Sequence, residues 1–391
     1  MIEFGTPEYK KISFIMALGS FLIFCNLYLF QPILPQLSQQ LDVSATKVNW
    51  IFASTTLMLS LFLVPWALVS ESFGRKRVML IGLFVPPIIN LIMMLDTGFY
   101  SMVIARAFMG IALAAFASVA VAYMAEEMTS AALTQAVGGY IAANSLGGIT
   151  GRIVGGVLTD LFSWQVAALI IAIATLFGAF AVLKILPQQK HFKPQRGVFF
   201  HHNRQLIQHL RNRKVWFAML IGGFNFALFV NLFSVIGFRL AGEPYYLPSS
   251  LTSLTFLCYL SGTLSSRYSG KWAIKKNPVS GMVLGTAITM IGMYLAYFES
   301  IPMMLIGLLF ISTGAFFTHA LAYGWVSQKA ITAKATATAL YLVHYYVGGS
   351  LGGFFLIYCW QNGAWPLVMA GGSLLCIAIF LLSFYLKRVE S

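Results

Sequence analysis

Twelve apolar stretches restrict the possible folds of this chain more than any other feature of its sequence. A helix that spans a bilayer needs about 20 mainly apolar residues. Helices of about that length are predicted over residues 12–34, 47–70, 78–95, 99–124, 136–158, 163–186, 215–238, 247–268, 279–297, 301–326, 335–360 and 364–386. Charged residues make up only 9% of the 391 residues, against about 25% in soluble domains. The sequence therefore predicts an all-α membrane protein that crosses the bilayer twelve times.

The distribution of cations predicts the orientation of the chain in the membrane. With both termini in the cytoplasm, the cytoplasmic side holds nearly all of the 25 Lys and Arg; the exceptions are Lys47, Arg106, Arg152 and Arg239. Lys and Arg are retained in the cytoplasmic loops of membrane proteins. The net charge of +14 therefore indicates a multi-pass protein of the bacterial inner membrane with cytoplasmic termini, and its distribution excludes a nucleic-acid partner.

No pattern typical of a cofactor, metal or nucleotide site occurs in the chain. The cysteines Cys25, Cys258, Cys359 and Cys376 lie within predicted helices and lack the spacing of metal ligands. The phosphate-binding pattern Gly-x-x-x-x-Gly-Lys-Ser/Thr is missing from the sequence, so direct use of ATP is not expected. Because there is also no nucleophile or metal constellation of the kind an enzyme needs, we expect neither an enzyme nor a bound metal or cofactor.

One long polar interruption divides the apolar stretches into two groups of six. Residues 187–214 are rich in Lys and Arg and contain no Asp or Glu. Such a basic segment is attracted to the anionic lipids of the inner leaflet and is expected to lie on them. We therefore predict a six-helix bundle over residues 1–186, a cytoplasmic linker over 187–214 and a second six-helix bundle over 215–391.

Two short motifs recur in the second half of the chain. Asn26-Leu27 returns as Asn231-Leu232, and Ser145-Leu-Gly-Gly returns, at the same spacing, as Ser350-Leu-Gly-Gly. Either match alone would be weak between two apolar sequences. Two matches at one spacing favour a pair of related bundles over twelve unrelated helices.

The loop between the second and third predicted helices carries a distinctive group of charges. It contains Glu71, Gly74, Arg75, Lys76 and Arg77. This loop resembles the loop between helices 2 and 3 of the major facilitator superfamily, although it has Ala67, Glu71 and Ser72 where that family has Gly, Asp and a cation. The resemblance implies that Glu71, Gly74 and the three cations form a conformational latch. A basic orientation signal at a helix end is the simpler alternative.

A second resemblance covers the first and fifth predicted helices. The run Asn26-Leu-Tyr-Leu-Phe-Gln31-Pro32 and a glycine-rich helix 5 resemble the YnfM-type members of the twelve-helix drug and metabolite exporter branch of that superfamily. The helix 5 glycines, which are expected to allow close helix packing, are Gly147, Gly148, Gly151, Gly155 and Gly156. Drug/proton antiporters of this superfamily have Pro after the central glycine, where this chain has Arg152. The resemblance implies two pseudo-symmetric six-helix bundles that transport by alternating access.

Two arginines fall within predicted helices, where a charge is costly and usually functional. Arg106 lies in helix 4 and Arg152 in helix 5, at a similar predicted depth. Either they share a negatively charged substrate, or backbone carbonyls or Asp160 neutralise them. Glu126 and Glu127 end helix 4, where we expect them to pair with the cations of the helix 2–3 loop or with the helix 10–11 loop.

Proton coupling would need a titratable group within the helices, and none of the 11 Asp and Glu is predicted at mid-membrane. His319 and His344 remain, with an unperturbed pKa near 6.5, although either could simply hydrogen-bond a neighbouring helix. The residues predicted to line the path of substrate and protons are Asn26, Gln31, Arg106, Asn144, Arg152, Asn225, Asn231, His319, His344 and Tyr345.

Together these patterns predict a monomeric secondary transporter. The expected activity, as the resemblance implies, is proton-coupled efflux of a small organic molecule. The intramembrane arginines favour an anionic substrate such as a carboxylate metabolite or a siderophore. Import of such an anion and multidrug efflux of broad specificity remain alternatives, and a channel would need neither a latch nor repeated bundles.

Overall fold

The computed structural model describes residues 1–95, 98–189, 206–330 and 334–390. Most of the predicted linker, residues 190–205, therefore lies outside the described residues, as does Asp96. The membrane-length helices, numbered in chain order, are α1 (Pro7–Tyr28), α2 (Trp50–Phe73), α3 (Arg75–Leu95), α4 (Phe99–Ala117), α5 (Ser130–Leu161), α6 (Trp164–Ile185), α7 (Arg213–Ala241), α8 (Tyr259–Lys275), α9 (Pro278–Leu295) and α10 (Ile301–Lys329). The segment Lys334–Glu390 forms two further helices, α11 and α12, that meet at a kink at Gly363 and Ala364.

These helices match the predicted spans in number and order. Ten segments of the described residues are long and apolar enough to cross a membrane. One of them, Thr336–Val389, contains both α11 and α12. The remaining helix, α8, has only 17 residues and a more polar composition, but Ser249–Ser253 and Leu254–Cys258 precede it as short helical turns. The predicted class, an all-α membrane protein of twelve helices, is confirmed.

Two helices are broken within their predicted spans. The first was expected to reach residue 34, but α1 ends at Tyr28 and the chain continues as a 3₁₀ turn, Gln31–Ile33. Pro32 lies in this turn and has no N–H to donate to the carbonyl of Tyr28, which weakens the helix at this point. Helix α4 ends at Ala117, and a short helix, Ala120–Glu127, follows it.

The chain forms two compact units. Among the described residues, unit 1 contains 1–33, 50–95, 98–189 and 248–253, and unit 2 contains 34–49, 206–247, 254–330 and 334–390. Each unit therefore includes a short segment from the other half of the sequence. The predicted boundaries at 186 and 215 stay a prediction.

Glycines bring α1 and α5 into close contact within unit 1. An added Cβ on Gly147, Gly151 or Gly155 would overlap a backbone carbonyl of α1 or of the residue that caps it; these carbonyls belong to Phe21, Cys25 and Leu29. Unit 2 repeats this arrangement, since Gly348 and Gly352 of α11 lie equally close to the backbone of Gly223 and Ala227 in α7. Only a hydrogen atom fits at these positions, so the two backbones can touch directly.

Candidate substrate, proton and latch sites

The side chain of Arg152 lies buried in unit 1. It is 1% exposed, and its guanidinium carbon lies 3.6 Å from the centre of the Tyr28 ring. Its Nε donates to Oε1 of Gln31 at 2.8 Å, and its Nη1 donates to the carbonyl of Gly148 at 2.9 Å. A cation over an aromatic face is stabilised by the ring's negative quadrupole. These partners hold the guanidinium in place but carry no formal charge.

The local sequence explains this geometry. The early end of α1 puts Gln31 in a 3₁₀ turn, where its amide reaches Arg152. Gly148 leaves room for the guanidinium of Arg152 and for the ring of Tyr28. An added Cβ at this position would lie 3.2 Å from Nη1 of Arg152 and 3.4 Å from the Tyr28 ring. One turn earlier in α5, Asn144 is half-buried, and its Oδ1 has no hydrogen-bond partner among the described residues.

Arg106 is fully buried and binds the carbonyl end of α1. Its Nη1 donates to the carbonyl of Asn26 at 2.9 Å, and its Nη2 donates to the carbonyl of Leu27 at 2.8 Å. Its Nε donates to the carbonyl of Ile51 at 3.3 Å. The last carbonyls of a helix lack partners within it and carry a partial negative charge. Arg106 therefore caps the broken helix. Its guanidinium also lies 5.0 Å from the ring centre of Phe30.

The sequence left open whether backbone carbonyls or Asp160 compensate the charge of each buried arginine. For Arg106, the three hydrogen bonds to carbonyls provide this compensation. Asp160 was the other alternative. Its Oδ2 accepts a hydrogen bond from the backbone N–H of Ser250 at 2.5 Å. Asp160 is thus engaged at the end of α5, and Arg106 is held by backbone groups.

Asn26 joins three helices of unit 1 and is fully buried. Its Nδ2 donates to the carbonyl of Leu22 at 2.9 Å and to the hydroxyl of Thr175 in α6 at 2.8 Å. Its Oδ1 accepts from Nδ2 of Asn90 in α3 at 3.0 Å. Neither Asn90 nor Thr175 was predicted as a site residue, although a lone polar residue within an apolar helix is the signal that could have identified them.

The two asparagines of α7 are likewise buried in unit 2. Nδ2 of Asn225 donates to the carbonyl of Ala315 in α10 at 3.0 Å. Nδ2 of Asn231 donates to the carbonyls of Ala227 and Gly349, each at 2.8 Å. The bonds to Ala315 and Gly349 tie α7 to α10 and α11. Any contact of either asparagine with substrate stays a prediction.

His319 stands in a cluster of tyrosines in unit 2. Its Nδ1 lies 2.9 Å from the hydroxyl of Tyr341, to which it is hydrogen-bonded. Its ring centre lies 4.3 Å from that of Tyr345 and 6.3 Å from that of Tyr323. Tyr345 in turn stacks on Phe226 at 3.8 Å. His319 and Tyr345 are half-buried, so part of this aromatic cluster is exposed.

His344 has a different environment from His319. It is half-buried, and its Nδ1 is hydrogen-bonded to the carbonyl of Leu340 at 2.8 Å, one turn earlier in the same helix. A proton on its other nitrogen would leave this bond unchanged. Among the residues that the structure describes, no group of three or more His, Cys, Asp or Glu could hold a metal ion.

Arg75 forms an ion pair with Glu126 at the beginning of α3. Its Nη2 lies 2.8 Å from Oε1 of Glu126, and its Nε donates to the same oxygen at 3.1 Å. Its Nη1 donates to the hydroxyl of Ser70 at 2.5 Å and to the carbonyl of Ala67 at 3.4 Å. Gly74 precedes it at a φ of 93°, a backbone conformation that glycine adopts without strain. Pairing of Glu126 with this basic loop was one of the two expected alternatives.

The other members of the predicted latch lie around this pair. Lys76 donates to the carbonyls of Leu183 and Leu186 at the end of α6, at 3.0 and 2.5 Å. Glu71 is half-buried in the last turn of α2, and Arg77 is exposed. The loop is therefore held to the short helix after α4 and to the end of α6, and its role as a latch stays a prediction.

The twelve helices, with polar and charged side chains buried inside each unit, are those of a multi-pass membrane protein. The family model described as Major Facilitator Superfamily matches residues 16–353. The chain belongs to the major facilitator superfamily, and this membership indicates a transporter rather than an enzyme.

Curated relatives and solved structures agree with this assignment. The chain is 32% identical to the inner membrane transport protein YnfM of Escherichia coli (strain K12), over 99% of this chain and 93% of that protein. It is 30% identical to the uncharacterized MFS-type transporter YybF of Bacillus subtilis (strain 168), over 99% of this chain and 96% of that protein. An inward-facing bacterial homolog of the human lysosomal transporter Spinster shares the fold at a TM-score of 0.80 and 13% identity, covering 98% of each chain.

Proposed function

We propose that this transporter exports a small organic anion from the bacterial cytoplasm by alternating access, in exchange for protons. The observation that carries the proposal is the environment of Arg152, which is 1% exposed and held by an amide oxygen, a backbone carbonyl and a tyrosine ring. A carboxylate metabolite or a siderophore carries the charge that would complement it.

The chemistry of the guanidinium supports an anionic substrate. Burial of a charge within a membrane costs several kcal/mol unless another charge or good hydrogen bonds compensate it. Arg106 receives that compensation from three carbonyls, two of them at a helix end. For Arg152, a substrate carboxylate would add charge-assisted hydrogen bonds in the planar geometry that guanidinium groups favour.

His319 is our candidate for the proton site. Histidine changes its charge between pH 5 and 8, and this side chain is half-buried beside the hydroxyl of Tyr341. That hydroxyl belongs to α11 and the histidine to α10. In the charged imidazolium both ring nitrogens are donors, so protonation would fix Nδ1 as the donor to the Tyr341 hydroxyl in this contact between two helices of unit 2.

The remaining assignments follow from the charges at one membrane face. Arg75 and Glu126, with Glu71, Gly74, Lys76 and Arg77 around them, form the proposed latch. We place this loop, both termini and the basic linker on the cytoplasmic side, with the linker on anionic lipids. The relative YnfM is named an inner membrane transport protein, which supports an inner-membrane location for this chain. We also propose that the protein is a monomer.

Transport by inverted membrane vesicles tests the proposal. Carboxyfluorescein and citrate serve as anionic probes and ethidium as the cationic probe, each with and without an imposed proton gradient. For Arg152→Ala and Arg152→Lys we expect at least about a tenfold loss of anion accumulation, because neither side chain retains the planar fork. Arg267→Ala is the matched control, since Arg267 is exposed and lies outside the proposed sites, and it should stay within about twofold of the wild type.

Three outcomes would contradict parts of this proposal. Unchanged anion transport by Arg152→Ala, with loss of ethidium transport, would indicate a cationic substrate and a multidrug pump. Accumulation of anions only in right-side-out vesicles would indicate import. Accumulation that does not depend on the proton gradient would remove the proposed coupling.

A further inference from the structure

The chain that leaves α6 is fastened to the short helix after α4 and to the beginning of α3. Lys76 binds the carbonyls of Leu183 and Leu186, and the hydroxyl of Tyr123 donates to the carbonyl of Pro187 at 3.0 Å. A cation at the carbonyl end of a helix is electrostatically favourable. These bonds hold the first residues of the predicted linker against unit 1.

Gln189 completes a ring of hydrogen bonds with Arg75 and Glu126. Its Oε1 accepts from the backbone N–H of Arg75 at 2.8 Å, and its Nε2 donates to Oε2 of Glu126, also at 2.8 Å. The other carboxylate oxygen of Glu126 accepts from Nη2 and Nε of Arg75 at 2.8 and 3.1 Å. Each of these three residues therefore bonds to both of the others.

The position of Gln189 requires both a donor and an acceptor. The N–H of Arg75 belongs to the first turn of α3, where backbone N–H groups have no acceptor within the helix. The carboxylate of Glu126 needs a donor on its second oxygen. A primary amide meets both requirements, whereas a carboxylate at 189 would place like charges together.

We propose that Gln189 is a positioning residue that joins the start of the linker to the ion pair of Arg75 and Glu126, so that the linker and this ion pair release together. Separation of α3 from Glu126 breaks the ring, because Gln189 cannot bond to both once they part. The first segment of the linker then loses two of its hydrogen bonds. This inference rests on the hydrogen-bond ring and does not depend on which solute is transported.

Limited trypsin digestion of the full-length protein in lipid nanodiscs tests the proposal, because both faces are accessible there. Trypsin cleaves after Lys and Arg, and Lys190 directly follows Gln189 in the sequence. Mass spectrometry measures the rate of cleavage after Lys190. Loss of two hydrogen bonds should raise the population of the released segment, and with it the cleavage rate, about tenfold in Gln189→Ala.

Gln188→Ala is the matched control, because Gln188 is the same residue type, directly adjacent and exposed. Its cleavage rate should equal that of the wild type. Arg75→Ala keeps the backbone N–H that donates to Gln189 and removes only the side-chain bonds to Glu126, so it should raise the rate less than Gln189→Ala does. The double variant should be cleaved no faster than Gln189→Ala, because that change already removes both bonds that hold the linker. Equal rates for Gln189→Ala and Gln188→Ala, or fully multiplicative effects in the double variant, would overturn the proposal.

An exchange of charges provides a second, independent measurement. Gln189→Glu puts two carboxylates together and should increase cleavage at least about tenfold. Gln189→Glu with Glu126→Gln restores one amide and one carboxylate in exchanged positions and should return the rate to within about threefold of the wild type. Failure of this rescue, with both proteins folded by size-exclusion chromatography, would show that the ring does not hold the linker.

Discussion

The guanidinium of Arg152 and the ring of Tyr28 are in direct contact, with 3.6 Å between the guanidinium carbon and the ring centre. This contact joins α5 to the last turn of α1, next to the glycines that allow the two backbones to touch. The ring of Tyr28 also lies 5.9 Å from that of Phe52 and 6.1 Å from that of Phe24. The ring that contacts the arginine therefore packs against neighbouring aromatic rings.

We expect Tyr28→Leu to raise the KM for anion transport about tenfold, because it removes the aromatic face that holds Arg152. A desolvated cation–π contact is worth about 2 kcal/mol. Tyr28→Phe keeps the ring and should stay within about twofold of the wild type. Initial rates over a range of carboxyfluorescein concentrations in inverted vesicles provide the measurement, and equal KM values for the two variants would contradict the expected role of the ring.

Arg106→Ala should destabilise the protein more than Arg152→Ala does. The change leaves the carbonyls of Asn26, Leu27 and Ile51 without their donor, and we expect a loss of about 3 kcal/mol. Thermal unfolding can be followed with a thiol-reactive dye, because Cys25, Cys258, Cys359 and Cys376 are all buried. Wild-type stability of Arg106→Ala together with lost anion transport would instead identify Arg106 as a substrate contact.

Gly151→Ala should lower the stability by about 2 kcal/mol, since an added Cβ would lie 2.5 Å from the carbonyl oxygen of Cys25 and would force α1 and α5 apart. Gly139→Ala is the matched control in the same helix, where an added Cβ meets nothing within 4 Å. Because alanine favours helix more than glycine does, Gly139→Ala should be neutral or slightly stabilising. The same dye assay measures both variants, and equal unfolding temperatures would show that close packing at Gly151 is not required.

His319→Gln should abolish the dependence of anion accumulation on a proton gradient, while downhill movement of the anion persists, because glutamine cannot take up a proton. His344→Gln should retain the dependence, since the hydrogen bond of His344 lies within its own helix. Accumulation in vesicles with and without a pH difference distinguishes the two variants. Persistent coupling in His319→Gln, or its loss in His344→Gln, would assign the proton site elsewhere.

Much of the fold was predictable because every helix that crosses the bilayer needs a long apolar stretch. The number and order of the helices follow from apolar length alone. The breaks were harder to predict. Pro32 and Pro35 lie within the first predicted span, yet membrane helices often tolerate proline, so ending α1 at Tyr28 required knowledge of what satisfies its last carbonyls. Arg106 does so from α4.

The residues of the candidate sites could be predicted from the sequence, but the groups that each of them contacts could not. Arg106 and Arg152 are equally strong candidates for a functional role in the sequence, because both place a charge in an apolar segment. The structure distinguishes them, since three carbonyls hold Arg106, whereas a tyrosine ring, an amide oxygen and one carbonyl hold Arg152. Gln189 gives no signal at all in the sequence, because a glutamine at the start of a polar linker is ordinary.

By itself, the sequence determined the membrane location, the number of helices and the resemblance to a transporter family, because these depend on the polarity of each segment and on short local motifs. Only the tertiary structure decided which helix end each buried cation binds, and which side chain holds the start of the linker. Those choices depend on hydrogen bonds between residues far apart in the chain, such as Arg75 and Gln189, and such bonds have a range of about 3 Å. No local pattern specifies contacts of that kind.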